Sequence, residues 1–273
     1  MNSLNEVRGL APSFSCRLRS SITNKDKVSI AHTKAKRIIT LNLKGGVGKS
    51  TFTAGLLSQL VEKGHKVELI DFDQQESSYN WASSVPEIEC QTYNPALKSF
   101  SEMASTLKVS TSSDYVVIDS PANFSERELF RYLKYADYIV IPMQPSPIDL
   151  HSSLPLINNL IDQHLYKGRE IKVGFVLNRV YQGDERLVNV QKLLKNFRQF
   201  QSLGIMSESA HYQEAFYYKK LIKSSNKDAD LWQSTLNWMG ANERNKQTEL
   251  TASSMVDNEQ VRQKSSDKKW ALA

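Results

Sequence analysis

Short apolar runs alternate with amphipathic stretches through the middle of the chain. The apolar runs, which are rich in β-branched residues, occupy 37–43, 66–73, 114–121, 137–145 and 171–180. The stretches with apolar residues at helical spacing occupy 50–64, 125–135, 149–163 and 184–199. Strands that alternate with helices at this spacing favour a parallel sheet with both faces covered. The pattern therefore predicts a doubly wound α/β fold, with a mainly parallel sheet and helices on both faces.

The two ends of the chain lack this pattern. Residues 1–36 are predicted to be a flexible basic arm, 37–240 the folded domain and 241–273 a polar tail. The first 37 residues hold eight Lys or Arg against two acidic residues, which accounts for the whole net charge of +6. The domain is therefore neutral overall, and any basic surface on it must come from local clustering. A targeting peptide is the alternative interpretation of the basic arm.

Composition excludes several other classes of protein. No apolar run approaches the roughly 20 residues that a membrane-spanning helix needs. The two cysteines, Cys16 and Cys90, form neither a metal-binding spacing nor a disulfide framework. This cysteine usage is typical of a protein in the reducing cytosol.

Residues 42–51 read NLKGGVGKST and lie between a predicted strand and a predicted helix. Glycines in such a loop let the backbone wrap around phosphate oxygens, and the N-terminus of the next helix attracts the anion. Lys49 would reach the β- and γ-phosphates, and the Ser50 hydroxyl would ligate Mg²⁺. The usual pattern G-x-x-x-x-G-K-[ST] has Leu43 at its first position here. The predicted phosphate-binding residues are Gly45, Gly46, Val47, Gly48, Lys49, Ser50 and Thr51.

A second lysine, Lys44, precedes the double glycine and is not needed for phosphate binding by the loop itself. In this respect the string KGGVGKST resembles the deviant Walker A loop of the ParA/MinD superfamily. The resemblance implies that Lys44 crosses a dimer interface to the phosphates of ATP bound by the partner subunit. The protein would then form a homodimer only when ATP is bound. A second cation at the phosphates would also offset charge during phosphoryl transfer.

Two further motifs resemble those of the same superfamily. In LIDFDQQ (69–75), the resemblance implies that Asp73 orients the attacking water and that Asp71 lies beside the Mg²⁺. VVIDSPA (116–122) resembles a Walker B strand, in which Asp119 would hold Mg²⁺ through water. The predicted catalytic residues are thus Lys44, Lys49 and Asp73, and the predicted metal-binding residues are Ser50, Asp71 and Asp119.

Within the superfamily, the segments 71–83, 141–153 and 174–180 resemble those of the short ParF-like partition ATPases. That resemblance implies that Asn178 faces the adenine and that Pro142 belongs to a loop that lines the base pocket. The family usually has proline and glycine where this chain has Gln74 and Glu76. The switch loop is therefore expected to differ in detail from that of its relatives.

The resemblance also implies partners and a location. Proteins of this type are slow ATPases of the bacterial cytoplasm that bind nonspecific DNA on the nucleoid in the ATP state. A small ParB-like partner stimulates hydrolysis and releases them. The run YYKKLIKSSNK (217–227) contains four lysines and no acid, and Lys219, Lys220 and Lys223 would share one side of a helix over 211–223. They are the candidate DNA contacts, and an ordinary solvated helix face is the alternative.

Other functions remain to be compared with DNA partition. The same switch could position a protein cargo, such as a chemoreceptor cluster or a conjugation complex, and a small-molecule ligase is a further alternative. A membrane switch is disfavoured, because the C-terminal residues SSDKKWALA contain few apolar side chains. An iron–sulfur ATPase needs paired cysteines after the loop, where the chain has only Cys90, and tyrosine kinases with this loop carry a C-terminal tyrosine cluster that is absent beyond Tyr218.

Overall fold

The computed structural model describes residues 26–95, 100–166 and 170–241. The strands are β1 (Lys27–Ser29), β2 (Lys36–Thr40), β3 (Val67–Asp71), β4 (Ile88–Thr92), β5 (Lys108–Ser110), β6 (Tyr115–Asp119), β7 (Tyr138–Met143), β8 (Lys172–Val180) and β9 (Gln201–Ser207). The helices are α1 (Lys49–Glu62), α2 (Ser77–Ala82), α3 (Phe100–Thr106), α4 (Glu126–Tyr135), α5 (Pro147–Tyr166), α6 (Arg186–Leu194), α7 (Ala210–Tyr217) and α8 (Ala229–Met239).

Seven strands form one sheet in the order β4-β3-β6-β2-β7-β8-β9, and every pairing in it is parallel. The predicted fold class is thereby confirmed. The first long strand, β2, lies in the middle, with β6 on one side and β7 on the other. The chain therefore leaves β2 at the point where the strand order changes direction. Parallel sheets bind ligands beyond the carboxyl ends of their strands at such a point.

Both faces of the sheet are covered because successive side chains of a strand point to opposite faces. Ile38 packs with α1, α2, α7 and α8 on one face, while its neighbour Ile39 packs with α3, α4, α5 and α6 on the other. Both isoleucines are fully buried. Burial on both faces explains why the central strands are continuous apolar runs without polar alternation.

The strands at the two edges of the sheet, β4 and β9, were not among the predicted strands. Their sequences, IECQT and QSLGIMS, mix polar with apolar residues, and most of their side chains are only partly buried or exposed. Helix α8 was also not predicted. It packs so closely on α1 that a Cβ at Gly55 would lie 2.5 Å from the ring of Trp232.

The folded domain begins earlier than the predicted boundary at residue 37. Strand β1 pairs with β5 in a small antiparallel sheet, and Ile30 is fully buried. Arg37 connects this segment to the main sheet, because its guanidinium donates to the Ile30 carbonyl at 3.1 Å and to both carboxylate oxygens of Asp137 at 2.9 Å. The rest of the predicted arm and almost all of the predicted tail, residues 1–25 and 242–273, lie outside the described residues.

The predicted helix over 211–223 is wrong in its extent. Helix α7 ends at Tyr217, and Lys219 has a left-handed backbone with φ of 49°. The Lys220 amide donates to the Ala215 carbonyl at 3.1 Å, which closes the turn. Lys219, Lys220 and Lys223 therefore follow the helix and do not share one of its faces. Across the described ranges, none of the helices combines the length and the apolar character needed to span a membrane.

Candidate nucleotide-binding site

A cavity of about 540 Å³ lies at the carboxyl ends of the central strands. Residues of the glycine loop and the residues after β3 form one side of it, and the segment from the end of β9 through α7 forms the opposite side. The structure thus brings together most of the predicted site, namely Gly45, Gly46, Gly48, Lys49, Ser50, Thr51, Asp73 and Asn178. The cavity is therefore the candidate site for the nucleotide.

The glycine loop joins β2 to α1 through two left-handed residues, Gly46 with φ of 74° and Gly48 with φ of 89°. Gly48 is the N-cap of α1 and, since it has no side chain, makes no capping hydrogen bond to the first amides of that helix. Uncapped amides at a helix N-terminus are available to an anion, which the helix dipole also favours. A Cβ at Gly48 would lie 2.0 Å from the Asn178 amide nitrogen, so only glycine fits there.

Lys49, the first residue of α1, is buried and faces the site. Its ammonium donates to the carbonyls of Asn42 and Lys44, at 3.2 and 3.3 Å. Burial lowers the pKa of Lys49, while the nearby carboxylates of Asp119 and Asp73 act in the opposite direction. Because both of these acceptors are neutral carbonyls, a phosphate in the loop would give this buried ammonium a charged hydrogen-bond partner.

Asp119 ends β6 and is almost completely buried. Burial raises the pKa of its carboxyl to about 7, and the neighbouring Asp71 adds to the rise. Neither oxygen has a regular hydrogen-bond partner among the described residues, although the Ser50 and Ser78 hydroxyls lie close enough to lower the pKa. An unsatisfied buried carboxylate beside the loop serine suits a hydrated Mg²⁺.

Asp71 is held differently from Asp119. Its Oδ2 accepts hydrogen bonds from the Ser78 hydroxyl at 2.7 Å and from the Tyr79 amide at 3.0 Å. Its Oδ1 accepts from the Asp73 amide at 2.9 Å. Both oxygens of Asp71 thus bind the chain itself, and this carboxylate connects β3 to the start of α2.

Asp73 lies in the loop after β3, and its carboxylate lines the cavity. Its Oδ1 accepts a hydrogen bond from the Gln75 amide at 3.0 Å. The same loop contains Glu76 with φ of 51°, a left-handed backbone that glycine adopts more easily. Glu76 is one of the two positions at which the sequence pattern was expected to differ from the family that it resembles, and its backbone has a conformation that glycine favours.

Lys44 pairs with Asp149 in the first turn of α5. The Lys44 side chain remains 40% exposed, whereas that of Asp149 is 5% exposed. The Lys44 amide also donates to the Asn42 side chain at 2.9 Å, and the Asn42 amide group donates to the Pro142 carbonyl at 2.8 Å. The two lysines of the loop therefore differ in environment, because Lys49 is buried while the Lys44 side chain is partly exposed and ion-paired.

Pro142 and Asn178, the two residues predicted for the base pocket, differ in their position relative to the cavity. Pro142 is buried within β7, where its carbonyl receives the Asn42 amide, and it does not line the cavity. The Asn178 side chain lines the cavity but donates to the Val47 carbonyl at 2.8 Å, so it supports the glycine loop. This contact between β8 and the glycine loop forms only in the tertiary structure, so local sequence could not indicate it.

The opposite side of the cavity consists of residues that no sequence motif identified. Arg179, Glu208, Tyr212 and Phe216 all line it. The Tyr212 hydroxyl donates to Asp228 at 2.6 Å, and Asp228 also accepts from the Ser207 amide and the hydroxyls of Ser207 and Ser225. A buried carboxylate with four donors holds the Tyr212 ring in place at the cavity. The aromatic spacing in HYQEAFYY was the only sequence signal for this wall.

The fold and this site define a nucleotide-binding protein of the phosphate-loop class, with an additional, partly exposed lysine in its loop. More specifically, the chain belongs to the family described as the CobQ/CobB/MinD/ParA nucleotide-binding domain, which matches residues 38–222. The resemblance to the ParA/MinD superfamily that the motifs indicated is thereby confirmed. Members of this family are nucleotide-binding ATPases, which agrees with the phosphate loop and the carboxylates around the cavity.

Several known proteins are similar to this chain. The maintenance of carboxysome distribution protein A of Halothiobacillus neapolitanus is 31% identical over 153 residues, which cover 55% of this chain and 69% of the relative. The protein virC1 of Rhizobium radiobacter is 25% identical over 180 residues, which cover 64% of this chain and 76% of the relative. Among solved structures, a plasmid partition protein of Borrelia burgdorferi bound to AMPPNP has a TM-score of 0.57 at 22% identity, covering 75% of this chain and 99% of that one.

Proposed function

We propose that the protein is an ATP-dependent, dimerising switch ATPase that segregates or positions DNA. In the ATP state the homodimer binds nonspecific DNA, and hydrolysis stimulated by a ParB-like partner releases it. The observation that carries this proposal is the difference between the two loop lysines. Lys49 is buried and lines the cavity, while the Lys44 side chain is 40% exposed and, among the described residues, pairs with the Asp149 carboxylate.

The residues around the cavity suit ATP with Mg²⁺. The loop amides and Lys49 would bind the phosphates, Ser50 and Asp119 would hold the Mg²⁺, and Asp73 would orient the attacking water. When bound, Mg²⁺ would neutralise charge on the phosphate oxygens. Asp71 would act through α2, because both of its oxygens bind the chain. Asn178 would support the loop under the nucleotide.

Lys44 would supply the second cation to the nucleotide of the partner subunit. Its ion pair with Asp149 has to break before the ammonium can cross an interface. The surface position of Lys44 makes that exchange feasible, since a phosphate offers more negative charge than one carboxylate. Dimerisation would then depend on the γ-phosphate as well as on the nucleotide base.

DNA would be bound through phosphate contacts from exposed lysines, including Lys219, Lys220 and Lys223. Such binding is steeply salt-dependent because each contact releases counterions. The relatives named for plasmid partition and for carboxysome distribution allow two cargoes. Positioning of a protein cargo is therefore the second candidate function, supported by the similarity to the carboxysome distribution protein.

The decisive experiment measures retention of the protein on nonspecific double-stranded DNA at rising salt, with ATP or ADP. We expect ATP-specific, salt-labile retention for the native chain and its loss in Lys44→Ala, because the variant lacks the cation that crosses the interface. Lys63→Ala, at the other end of α1, is the control for the loss of a lysine. Nucleotide affinity of the monomer should be the same in all three proteins.

Equal retention with ATP and ADP, or none at any salt, would contradict the DNA switch. ATP-dependent dimerisation without DNA retention would favour the protein cargo. Turnover that requires a metabolite and proceeds without dimerisation would favour a small-molecule ligase instead.

A further inference from the structure

Two adjacent tyrosines are strongly exposed directly after the helix that lines the nucleotide cavity. Tyr217 is 81% exposed and Tyr218 is 64% exposed. Their ring centroids lie 4.9 Å apart with the planes almost perpendicular, and the Lys220 ammonium lies 5.1 Å from the Tyr218 ring centroid. We call residues 217–223, which contain these rings together with Lys219, Lys220 and Lys223, the tyrosine–lysine platform.

The backbone of the platform is held firmly to the domain. The Trp81 indole donates to the Lys220 carbonyl at 2.9 Å, and the Tyr218 amide donates to the Glu214 carbonyl at 2.8 Å. Between Lys220 and Lys223, Ile222 is buried, and its amide donates to the Ser58 hydroxyl at 2.9 Å. The exposed rings therefore project from a supported turn, which lowers the entropy that a ligand would have to remove on binding.

The platform lies in a run of residues whose charged side chains are all basic. The run 217–227 contains four lysines and no acidic residue. The nearest carboxylate before it, Glu214, is exposed on α7, and the nearest after it, Asp228, is buried and accepts hydrogen bonds from Ser207, Tyr212 and Ser225. A polyanion is the complementary partner for such a surface.

The exposed aromatic rings help to distinguish a single-stranded from a double-stranded nucleic acid as the partner, which charge alone does not. In duplex DNA the faces of the bases are stacked on one another, so a protein ring can contact only backbone or groove edges. In a single strand the base faces are free, and aromatic rings beside cations are the usual means of binding them. Lysines alone would suffice for a duplex held through its phosphates.

We propose that the tyrosine–lysine platform is a binding site for single-stranded nucleic acid. Tyr217 and Tyr218 stack on unpaired bases, and Lys219, Lys220 and Lys223 contact the neighbouring phosphates. The proposal rests on the proposed function in assigning a nucleic-acid partner, and it adds a preference for unpaired strands that a simple duplex-binding switch would not have.

The platform is also connected to the nucleotide site. Phe216, which precedes it, lines the cavity and packs against Trp81 with ring centroids 5.8 Å apart. Trp81 belongs to α2, whose first turn binds Asp71 through Ser78 and Tyr79. Helix α2 therefore contacts both Asp71 at the nucleotide site and Phe216 beside the platform.

The test is fluorescence anisotropy of the full chain with ATP, using a labelled single-stranded oligonucleotide and a duplex of the same length. The variants are the double changes Tyr217→Leu with Tyr218→Leu, and Tyr217→Phe with Tyr218→Phe. We expect the leucine variant to lose at least about fivefold in single-strand affinity per tyrosine, since stacking contributes about 1 kcal/mol or more per base. Duplex affinity should change by less than about twofold, and the phenylalanine variant should bind both ligands as the native chain does.

Tyr181→Leu, at an exposed tyrosine away from the platform, serves as the matched control and should leave both affinities unchanged. Unchanged single-strand affinity in the leucine variant, or an equal loss for both ligands, would overturn the proposal. So would binding of the native chain to vesicles of anionic lipid but not to the oligonucleotide. Failure of the proposed function has a different signature, because the native chain would then not be retained on duplex DNA by ATP.

Discussion

The two ends of the nucleotide cavity are built from different kinds of chain. The phosphate end consists of one continuous loop and helix start, with glycines in left-handed conformations and one buried lysine. The opposite end consists of side chains from β8, β9 and α7, which are held by hydrogen bonds to α8 through Asp228. The first depends on local backbone geometry and the second on packing between distant segments.

The two ends of the cavity are therefore expected to recognise different parts of a nucleotide. Phosphates are bound by backbone amides and a cation, which any nucleotide with the same phosphates would satisfy. Bases are distinguished by shape and stacking, which require a wall held in position by the rest of the fold. Substitutions at the two ends should therefore have separable effects on affinity for phosphates and affinity for the base.

The largest effect is expected for Lys49→Ala at the phosphate end. Removing a charge-assisted contact to phosphate should weaken ATP, GTP and tripolyphosphate alike, by about a hundredfold. Isothermal titration with the three ligands would measure this, with Lys63→Ala as the matched change at the far end of α1. A loss of affinity for ATP without a loss of affinity for tripolyphosphate would show that Lys49 does not act through the phosphates.

Gly48→Ala tests the contact between the loop and Asn178. The added Cβ would lie 2.0 Å from the Asn178 amide nitrogen on a backbone with φ of 89°. We expect a destabilisation of about 2 kcal/mol or more, from strain and displacement together. Thermal unfolding measures it, and Gly64→Ala, also left-handed but with open space around it, isolates the backbone contribution. Equal destabilisation in both variants would mean that the contact with Asn178 is unimportant.

Tyr212→Leu tests the opposite end. Loss of an aromatic wall should weaken ATP by about two- to tenfold, since aromatic pairs contribute about 0.5–1.5 kcal/mol beyond area. Tripolyphosphate affinity should not change, because it has no base. Tyr212→Phe keeps the ring while removing the hydrogen bond to Asp228, so it separates stacking from positioning. Equal weakening of both ligands by Tyr212→Leu would show that this wall does not contact the base.

The smallest effect is expected for Glu76→Gly in the loop between Asp73 and α2. The left-handed backbone at Glu76 costs about 1–2 kcal/mol, a strain that glycine would remove. Glycine also loses more conformational entropy on folding, which would offset part of this gain. We expect a net stabilisation of about 0.5 kcal/mol with unchanged nucleotide affinity, as measured by denaturant unfolding. Glu87→Gly, elsewhere on the surface, should not stabilise. A destabilised Glu76→Gly would mean that the glutamate side chain contributes contacts to this loop.

Sequence periodicity predicted the five strands whose runs are apolar, because residues buried on both faces leave an unbroken pattern. It missed the edge strands, in which only some positions are buried. The hypothesis of one lysine face assumed a helix through Lys223, but the chain turns at Lys219. The left-handed backbone there and the closing bond from Lys220 are tertiary features supported by Trp81.

The sequence by itself determined the fold class, the glycine loop and the three aspartates, because each depends on a short run of residues with strong local preferences. The partner of Lys44 could be identified only from the tertiary structure, because Asp149 lies 105 residues away along the chain. The same holds for the cavity wall formed by β9 and α7 and for the tyrosine–lysine platform. These features depend on which segments pack together at the carboxyl edge of the sheet, and packing between distant segments leaves no periodic pattern in any one of them.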